Sequence, residues 1–597
     1  MPSVGSRGGS NLAQEPLMAV EVVLPMLGIT VERGRILKWH KTEGERVQKG
    51  EILFEVETEK VVTEVESPAT GILARILVPE GVEAPLLTVV GLILQEGEKL
   101  PDSFREAPPE PSGRGQISHP GPGPTSKGPP TRRQMELAVL GGGPAGYLAA
   151  IRAAQRGARV LLIERDRVGG TCLHRGCIPT KCFLSDVELL QRVRGSELFS
   201  GTSALSLEIP RMVARKDEVV GRLHRGLARL LDGLGVEVVR GVGEILDANT
   251  VMVRGNGDGQ LYEASHLLIA TGSAPAPLGN LRADGQLVLY SDHLVDMGEV
   301  PGRMAVVGAG AIGLEWASIM RGLGTEVVVL EMLPRLLASG DQETATVLHR
   351  ALETQNIRII TGAVVREVRT RGQEIEVLYR CGEESSSLRV DRVLLAVGRS
   401  PNTGSMGLER ITLEKDGPFL RVDDRMCTTV PNIYAAGDVT GRAMLAHAAF
   451  WEADVAVRNI LGESAQMDYK RVPRCVYTSP EVAWVGLSEE EARRAGYGVR
   501  VGKFPFGHNG KALALGDGEG LVKIVAEQEL GQILGVSIVG PHATELLGEC
   551  LLAMRLEASV EELADIIKPH PSLSEAIGEA AMGWLGRPIH ASGASLP

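Results

Sequence analysis

Apolar runs alternating with helical stretches fill most of the chain after residue 134. An apolar run at residues 135–140 precedes a glycine cluster and a helical run to about Arg156, and a second apolar run follows at 158–163. The same order recurs at residues 303–330. Continuous apolar runs of this length are typical of buried parallel strands covered by helices. The pattern therefore predicts two α/β units, each built on a parallel sheet.

The N-terminal region has a different pattern, with short alternating strands between glycine turns. Residues 33–44 contain Arg-Gly-x-Ile followed by Glu-Gly, and residues 70–81 repeat this order. Two similar halves of short strands predict a small flattened all-β barrel with pseudo-twofold symmetry. Between the halves, residues 52–62 predict a hairpin with Lys60 at its tip.

Other segments complete the predicted organisation. Pro, Gly and Ser dominate residues 101–133 without an apolar period, which indicates a linker. From residue 471 onward strands alternate with helices and predict an α+β domain. The predicted divisions are a disordered leader at 1–17, the barrel at 18–98, the linker at 99–134, the first α/β unit at 135–297, the second at 298–402, a central return at 403–470 and the C-terminal domain at 471–597.

Composition narrows the class of protein. A hydrophobic fraction of 43% with 4% aromatic residues is ordinary for an α/β enzyme, and 597 residues suffice for several domains. The formal net charge of −12 argues against nucleic acid or anionic membranes as partners. No apolar run approaches the ~20 residues of a membrane helix, and no signal-peptide core is seen. The seven cysteines form no zinc-type double CxxC, so we expect a cytoplasmic enzyme without a metal site.

The glycine cluster of the first α/β unit has the dinucleotide-binding spacing. Gly141, Gly143 and Gly146 join the first strand to its helix, and Glu164 ends the second strand. In such a loop, backbone N–H groups at the helix start bind a pyrophosphate, and the acidic residue binds ribose hydroxyls. We expect Glu164 to take that role.

The second α/β unit repeats this arrangement with Gly308, Gly310 and Gly313, and its second strand ends in Glu331. A carboxylate there accepts a hydrogen bond from a ribose 2′-OH but repels a 2′-phosphate. Residues 332–334 are Met-Leu-Pro and contain no arginine. The second nucleotide is therefore predicted to be NAD.

Cys172 and Cys177 follow the first glycine loop directly. A glycine turn ahead of Cys172 exposes it, and the positive end of the next helix favours a thiolate. Cysteine pairs are often structural or accidental, but a persistent structural disulfide is uncommon in the cytoplasm. The pair is therefore predicted to be a redox-active disulfide, and the adjoining dinucleotide to be FAD.

Residues 169–181, Gly-Gly-Thr-Cys-x4-Cys-Ile-Pro-Thr-Lys, resemble the pyridine nucleotide–disulfide oxidoreductases, and most of all the members that oxidise dihydrolipoyl groups. The resemblance extends over residues 135–590. It implies that Cys172 is the interchange thiol, that Cys177 lies next to the flavin, and that Lys181 near flavin N5 pairs with Glu315. The remaining residues implied at the FAD site are Gly170, Thr171, Gly243, Thr271, Gly272, Asp438, Met444 and Ala446, and Gly398 closes the NAD-binding unit.

Residues 570–575, His-Pro-x-Leu-x-Glu, match the acid–base motif of the same family. The resemblance implies that His570 is the catalytic acid–base, that Glu575 orients it, and that it reaches the disulfide of the other subunit of a homodimer. The chain departs from the family at His174-Arg175, where Asn-Val is usual, and at Lys568, where a second histidine is common.

The N-terminal barrel resembles the lipoyl domains of 2-oxo acid dehydrogenase complexes. The resemblance rests on Glu-Thr-Glu-Lys at residues 57–60 and on several glycines and apolar positions, and Leu87 departs from it. It implies lipoate on Lys60. The alternatives are an unmodified surface lysine, or biotin, whose carrier domains flank the lysine with methionines rather than Glu59 and Val61.

The sequence thus predicts FAD- and disulfide-dependent oxidation of dihydrolipoyl groups with reduction of NAD⁺, within a 2-oxo acid dehydrogenase-type complex. The predicted partners are a second copy of the chain and a lipoyl-bearing acyltransferase or other subunits. Glutathione reduction is disfavoured by Glu331, and mercuric ion reduction by the lack of paired cysteines after Cys550. A mainly carrier or assembly role stays an alternative, and the parent complex is open.

Overall fold

The computed structural model describes residues 20–24, 33–57, 62–85, 88–94, 133–255, 259–372, 374–404 and 406–591. The chain divides into two compact units between residues 126 and 127. The predicted leader and the predicted linker up to residue 132 lie outside the described residues.

The smaller unit is all-β in its described residues. Its strands form two four-stranded sheets, ordered β1-β8-β6-β3 and β5-β4-β2-β7. These strands are β1 (Val20–Val23), β2 (Arg33–Trp39), β3 (Arg46–Val47), β4 (Ile52–Glu57), β5 (Val62–Glu66), β6 (Gly71–Ile76), β7 (Glu83–Pro85) and β8 (Val89–Leu94). Alternate residues from both sheets share one apolar core, in which the rings of Trp39 and Phe54 lie 4.6 Å apart.

The predicted hairpin is present in its two strands. β4 and β5 pair antiparallel, with Glu57 opposite Val62. The tip at residues 58–61, which includes Lys60, lies outside the described residues.

The larger unit begins with a nucleotide-binding-type sheet. Its strand order is β11-β10-β9-β14-β13-β12, and β9, β10, β11 and β14 run parallel. The elements are β9 (Arg133–Leu140), α1 (Pro144–Gln155), β10 (Val160–Glu164), α2 (Gly170–His174), α3 (Cys177–Gly195), α4 (Ile209–Gly233), β11 (Glu237–Arg240), β12 (Val242–Asp247), β13 (Thr250–Arg254) and β14 (Gln260–Ile269).

A second parallel sheet follows, with the strand order β16-β23-β17-β18-β19. Between β19 and β23 the chain forms a three-stranded antiparallel sheet, β20-β21-β22. The elements are β15 (Ser273–Pro275), β16 (Val288–Leu289), α5 (Ser291–Leu294), β17 (Arg303–Val307), α6 (Ala311–Leu323), β18 (Glu326–Glu331), α7 (Gln342–Thr354), β19 (Ile357–Thr361), β20 (Ala363–Arg371), β21 (Glu374–Cys381), β22 (Glu384–Val390) and β23 (Arg392–Leu395).

The chain then returns to the first sheet and ends in an antiparallel domain. A short strand, β27, pairs parallel with β14, and the last sheet has the order β28-β29-β32-β31-β30. The elements are β24 (Arg399–Pro401), β25 (Lys415–Asp416), β26 (Phe419–Leu420), β27 (Ile433–Ala435), α8 (Ala446–Ile460), β28 (Arg474–Val476), β29 (Glu481–Gly486), α9 (Glu489–Arg494), β30 (Val499–Pro505), α10 (Gly510–Leu515), β31 (Leu521–Glu527), β32 (Ile533–Gly540), α11 (Ala543–Arg555), α12 (Val560–Ala564) and α13 (Glu575–Trp584).

A buried ion cluster joins the second sheet's unit to the C-terminal domain. Lys523 on β31 places its Nζ 2.9 Å from Asp341, the N-cap of α7, and 3.0 Å and 3.1 Å from Glu343 and Glu489. Lys523 and Asp341 are almost completely buried. Because buried charges persist only when they are paired, this cluster fixes the two domains against each other.

Among the described helices, none combines the length and the apolar character needed to cross a membrane.

Candidate active site

The two cysteines of the predicted disulfide lie on a turn that packs against the first glycine loop. Gly169 and Gly170 have φ of +113° and +60°, a region that favours glycine. A Cβ on Gly170 would lie 2.6 Å from the Cα of Gly143. This close backbone approach brings Cys172, on α2, and Cys177, the first residue of α3, next to the dinucleotide loop.

The two thiols interact directly, and both are free cysteines in this structure. The hydrogen bond from Cys172 lowers the pKa of Cys177 to about 7; burial opposes this shift, and the Lys181 ammonium adds to it. The same sulfur–sulfur hydrogen bond, with burial, raises the pKa of Cys172. Cys177 is therefore the sulfur that carries the negative charge near neutral pH.

An ion pair connects this turn to the second α/β unit. Lys181 Nζ lies 2.7 Å from Glu315 Oε2, and the other Glu315 oxygen accepts a hydrogen bond of 3.1 Å from the backbone N–H of Tyr477. Lys181 Nζ also lies 4.1 Å from the centre of the Tyr477 ring. Tyr477 has no counterpart in the sequence predictions, because no motif marked its position near Lys181.

The first glycine loop has the shape of a dinucleotide cradle. A Cβ on Gly146 would lie 1.7 Å from the carbonyl oxygen of Gly141, and a Cβ on Gly141 would lie 2.3 Å from that of Ala270. Helix α1 begins after Gly143 and, within the described chain, has neither a side-chain cap nor an acidic residue in its first turn. Its free N–H groups therefore suit a phosphate, as the predicted FAD requires.

Glu164 is held beside this loop. Its Oε2 accepts a hydrogen bond of 2.6 Å from the backbone N–H of Gly142, and its Oε1 accepts one of 2.8 Å from the backbone N–H of Asp166. Gly243, on β12, lies over the ends of the neighbouring strands, since its Cβ would meet Leu140 Cδ2 at 3.2 Å.

The second glycine loop reproduces this geometry. A Cβ on Gly313 would lie 2.0 Å from the carbonyl oxygen of Gly308. The carboxylate of Glu331 is buried and accepts hydrogen bonds of 2.6 Å and 2.8 Å from the backbone N–H groups of Ala309 and Leu333. Gly310 is the N-cap of α6, which has no side-chain cap among the residues described. These features fit the predicted NAD.

A cavity of about 330 Å³ opens at this second loop. Its walls come from the glycine loop, from the segment after Glu331, from Leu445 ahead of α8, and from β28 and β29 of the C-terminal domain. Its lining includes Gly310, Ala311, Glu331, Arg335, Arg474 and Trp484.

Asp438 follows the short strand β27, in a polar cluster that the sequence did not predict. Its carboxylate accepts a hydrogen bond from the Ser273 hydroxyl, and Arg399 Nε lies 2.6 Å from the same hydroxyl and 3.5 Å from Asp438. Arg399 directly follows Gly398, which was predicted to close the NAD-binding unit. That glycine was therefore the sequence signal that could have located Arg399. Thr271 binds the backbone of Asn402 nearby, with a hydrogen bond of 2.8 Å.

The other predicted cofactor-site residues lie on left-handed backbone turns or near the starts of helices. Gly272 and Gly398 have φ of +67° and +123°, and Met444 has φ of +47°. Thr171 lies in α2, and Ala446 begins α8, whose first turn has no acidic residue and, in the described chain, no side-chain cap.

Glu452, on α8, is a buried carboxyl group that sequence reasoning missed. It accepts hydrogen bonds of 2.6 Å from the backbone N–H of Gly437 and 2.7 Å from the Tyr469 hydroxyl. Burial, against the effect of these hydrogen bonds, raises the pKa of Glu452 to about 7. Glu452 therefore fixes the residue that precedes Asp438.

His570 and Glu575 form the predicted dyad. His570 Nδ1 lies 2.8 Å from Glu575 Oε1, and the second oxygen accepts a hydrogen bond of 2.7 Å from Ser572 N–H. Burial alone would raise the pKa of Glu575, but these hydrogen bonds hold it below the ordinary value. The His570 side chain is 80% exposed, and in the described chain it makes no hydrogen bond to Cys172 or Cys177.

The residues at which the chain departs from the family pattern contact groups other than the two thiols. Arg175 pairs with Asp166 at 2.6 Å, and Lys568 pairs with Glu549 on α11. His174 Nε2 lies 2.8 Å from the carbonyl oxygen of Val168, and its Nδ1 is buried without a partner among the described residues. Burial lowers the pKa of His174, so this side chain adds no cation beside Cys172 at neutral pH.

No group of three or more His, Cys, Asp or Glu side chains in the described part of the chain is arranged to hold a metal ion.

Three family models match the chain. The model described as pyridine nucleotide-disulphide oxidoreductase matches residues 135–453, and the dimerisation domain of the same family matches residues 472–581. The biotin- and lipoyl-domain model, described as biotin-requiring enzyme, matches residues 20–89.

Curated relatives match the larger unit over nearly their whole length. The dihydrolipoyl dehydrogenase of Thermus scotoductus is 43% identical over 462 residues, which cover 77% of this chain and 99% of that protein. Dihydrolipoyl dehydrogenase 1, mitochondrial, of Arabidopsis thaliana is 39% identical over 465 residues, covering 76% of this chain and 92% of that protein.

Solved structures share the fold. LpdA from Mycobacterium tuberculosis matches with a TM-score of 0.70 and 29% identity, over 75% of this chain and 99% of that one. The Cu(II) complex of the HOCl-induced flavoprotein disulfide reductase RclA from Escherichia coli matches with a TM-score of 0.68 and 27% identity, over the same shares.

Proposed function

Because the chain belongs to the pyridine nucleotide-disulphide oxidoreductase family, we propose that it is a dihydrolipoyl dehydrogenase, which oxidises dihydrolipoyl groups and reduces NAD⁺. The family is FAD- and NAD-dependent. The observation that carries the proposal is the Cys172–Cys177 dithiol, with a thiolate at Cys177, on the turn that packs against the first of two dinucleotide cradles.

The reaction starts from the oxidised pair, in which Cys172 and Cys177 share a disulfide. His570 takes a proton from a dihydrolipoyl thiol, while Glu575 holds the opposite ring nitrogen. The substrate thiolate attacks Cys172 Sγ, the Cys172–Cys177 bond breaks, and Cys177 leaves as a thiolate.

The second substrate thiol then attacks the substrate sulfur bound to Cys172, and its proton passes to the departing Cys172 sulfur. Its attack closes the lipoyl disulfide and releases Cys172, so the substrate loses two electrons that the cysteine pair gains. Lys181 stabilises the Cys177 thiolate throughout. When bound, FAD supplies the electron-pair relay from this dithiol to NAD⁺.

The active unit in this proposal is a homodimer. The exposed His570 lies within the stretch matched by the dimerisation-domain model and makes no contact with its own cysteines among the described residues, which supports action on the partner's cysteine pair.

The N-terminal unit is proposed to carry lipoate on Lys60, which lies outside the described residues. The matching family model covers both biotin and lipoyl carriers, and lipoate is favoured because its reduced form is the substrate of the Cys172–Cys177 disulfide in the mechanism above. A lipoyl-bearing acyltransferase or other subunits of a 2-oxo acid dehydrogenase-type complex are the proposed partners. We place the protein in the cytoplasm, where structural disulfides are uncommon and a cysteine pair that cycles between dithiol and disulfide is the more usual kind.

The test is NAD⁺-dependent oxidation of free dihydrolipoamide by the purified holoprotein. Cys177→Ser is expected to abolish turnover, and Cys182→Ser, a buried position on the same helix α3, serves as the matched control and is expected to keep it. A Cys177→Ser variant with unchanged turnover would refute the disulfide mechanism. A lipoyl mass increment that disappears in Lys60→Arg tests the carrier separately.

A further inference from the structure

Arg474 lies on the strand of the C-terminal domain that faces the second dinucleotide cradle. It begins β28 and pairs across the sheet with Trp484. Side chains on a strand alternate between faces. Val476 and Trp484 pack against the core of the NAD-side unit, and Cys475 packs into the core of the C-terminal domain. Arg474 therefore shares the face that looks toward the NAD-side unit, and it lines the 330 Å³ cavity.

Arg474 is half-buried as a residue, and within the described chain its guanidinium has no hydrogen-bond or ion-pair partner. A second arginine in the same cavity provides the contrast. Arg335 donates a hydrogen bond of 3.1 Å to the carbonyl oxygen of Ala338 and lies 3.4 Å from Glu490. Burying part of an unpaired guanidinium is unfavourable, because it loses water contacts without replacing them. An anion in the cavity would compensate Arg474, whereas Arg335 is already compensated.

The same cavity includes the start of α6. Gly310 and Ala311 present the free N–H groups and the positive end of the helix dipole, which bind phosphate oxygens. Glu331, on the ribose side, disfavours a phosphate near its own carboxylate. The anionic position thus lies by the helix start and Arg474, rather than by the ribose 2′ position.

We propose that Arg474 binds the pyrophosphate of NAD⁺ and NADH from the C-terminal domain, opposite the glycine loop. The inference rests on the proposed function and deepens it, because it assigns a further nucleotide-binding residue to the second nucleotide site. Arginine donates several N–H groups in a fixed plane and forms paired hydrogen bonds with phosphate oxygens. The dinucleotide is then held between two domains, which the buried Lys523 cluster keeps in a fixed relation.

The test compares Arg474→Gln and Arg474→Lys with a control, Arg366→Gln. The control removes one exposed positive charge that lies in the larger unit but does not line the cavity. Loss of a charge-assisted hydrogen bond predicts that Arg474→Gln raises KM for NAD⁺ and the Kd for ADP-ribose by about tenfold to a hundredfold. We expect kcat to change much less, Arg474→Lys to recover part of the affinity, and Arg366→Gln to match the wild type. Because Arg474 contacts the nucleotide alone, anaerobic reduction of the flavin by dihydrolipoamide is expected to keep its rate.

The outcomes separate the two proposals. Unchanged ADP-ribose affinity in Arg474→Gln, with normal flavin reduction, would overturn the role of Arg474 and leave the proposed function intact. A variant that weakens NADP⁺ binding alone would also overturn it, because the arginine would then read the 2′-phosphate. Failure of dihydrolipoamide to reduce the wild-type flavin would instead refute the proposed function. If Arg474→Gln and Arg366→Gln lost equal affinity for ADP-ribose, the effect would come from the net charge of the protein, which would contradict the assignment.

Discussion

Glu452 offers a direct test of how burial controls the flavin-side return segment. The side chain lies inside the protein with 1% of its surface exposed, and its two oxygens accept hydrogen bonds from Gly437 N–H and from the Tyr469 hydroxyl. Burial raises its pKa from 4.5 to about 7. The perturbation is Glu452→Gln, which keeps the shape. Its amide oxygen can accept from Gly437, and its NH₂ group can donate to the Tyr469 oxygen.

The magnitude follows from the linkage between protonation and folding. A pKa of about 7 in the folded protein, against 4.5 as the reference, is a shift of roughly 2.5, equivalent to about 3 kcal/mol. Because the folded pKa is the higher one, the folded protein holds the proton more tightly. This stabilisation is fully present below pH 4.5 and is lost as the pH rises through about 7. The glutamine side chain of the variant does not titrate, so the variant lacks this dependence.

The assay is urea unfolding of the holoprotein at several pH values between 5 and 8, followed by flavin release. The wild type is expected to lose about 2.5 kcal/mol relative to Glu452→Gln across this window, with most of the change between pH 5 and 7. Glu409→Gln, at an exposed position, is the matched control, and its difference from the wild type is expected to stay constant. A flat difference for Glu452→Gln would refute the reasoning, since the carboxyl group would then titrate alike in the folded and unfolded chain.

Three further predictions concern charged contacts. Lys181→Met removes a cation that lowers the pKa of Cys177, so this pKa is expected to rise above about 7. The measurement is the rate of thiol alkylation as a function of pH, and a profile that does not shift would contradict the assignment. Glu575→Gln weakens the orientation of the imidazole, and turnover of dihydrolipoamide is expected to fall about tenfold or more, toward the ~10²-fold lower bound for general acid–base catalysis; unchanged turnover would exclude the dyad. Lys523→Met leaves the buried Asp341 carboxylate without a cationic partner among the described residues and is expected to cost about 3–5 kcal/mol in urea unfolding, whereas Lys415→Met on the surface is expected to cost nothing measurable.

The comparisons confirm the predicted family and fold class. Both could be predicted because they depend on residues with a short, fixed spacing along the chain. The glycine loops are short-range structures: Gly146 must be glycine because Gly141 lies five residues earlier on the same turn, and Gly313 stands in the same relation to Gly308. Spacing along the chain therefore contains the information. The same applies to Glu575, five residues from His570.

Contacts over long sequence separations were not predictable in this way. Ser273 and Arg399 form a cluster with Asp438, although the three residues belong to segments that are far apart in the sequence. No pattern in one segment specifies its partner in another. Likewise, the orientation of Arg175 toward Asp166 depends on how α2 is placed. The roles assigned to individual site residues stay predictions, and so do the domain boundaries and the lipoylation of Lys60.

The Lys181–Glu315 pair explains how three parts of the fold act on one sulfur. Lys181 lies on α3 of the first unit, Glu315 on α6 of the second, and Tyr477 of the C-terminal domain binds both. Lys181 lowers the pKa of Cys177, while Glu315 raises it. The acidity of this thiol therefore depends on how near each of these two charges, from different nucleotide-binding units, lies to the Cys177 sulfur. A movement that carries Glu315 toward or away from the Cys177 sulfur changes this balance, so the packing between the units contributes to the thiolate population at Cys177, beside the larger effect of Cys172.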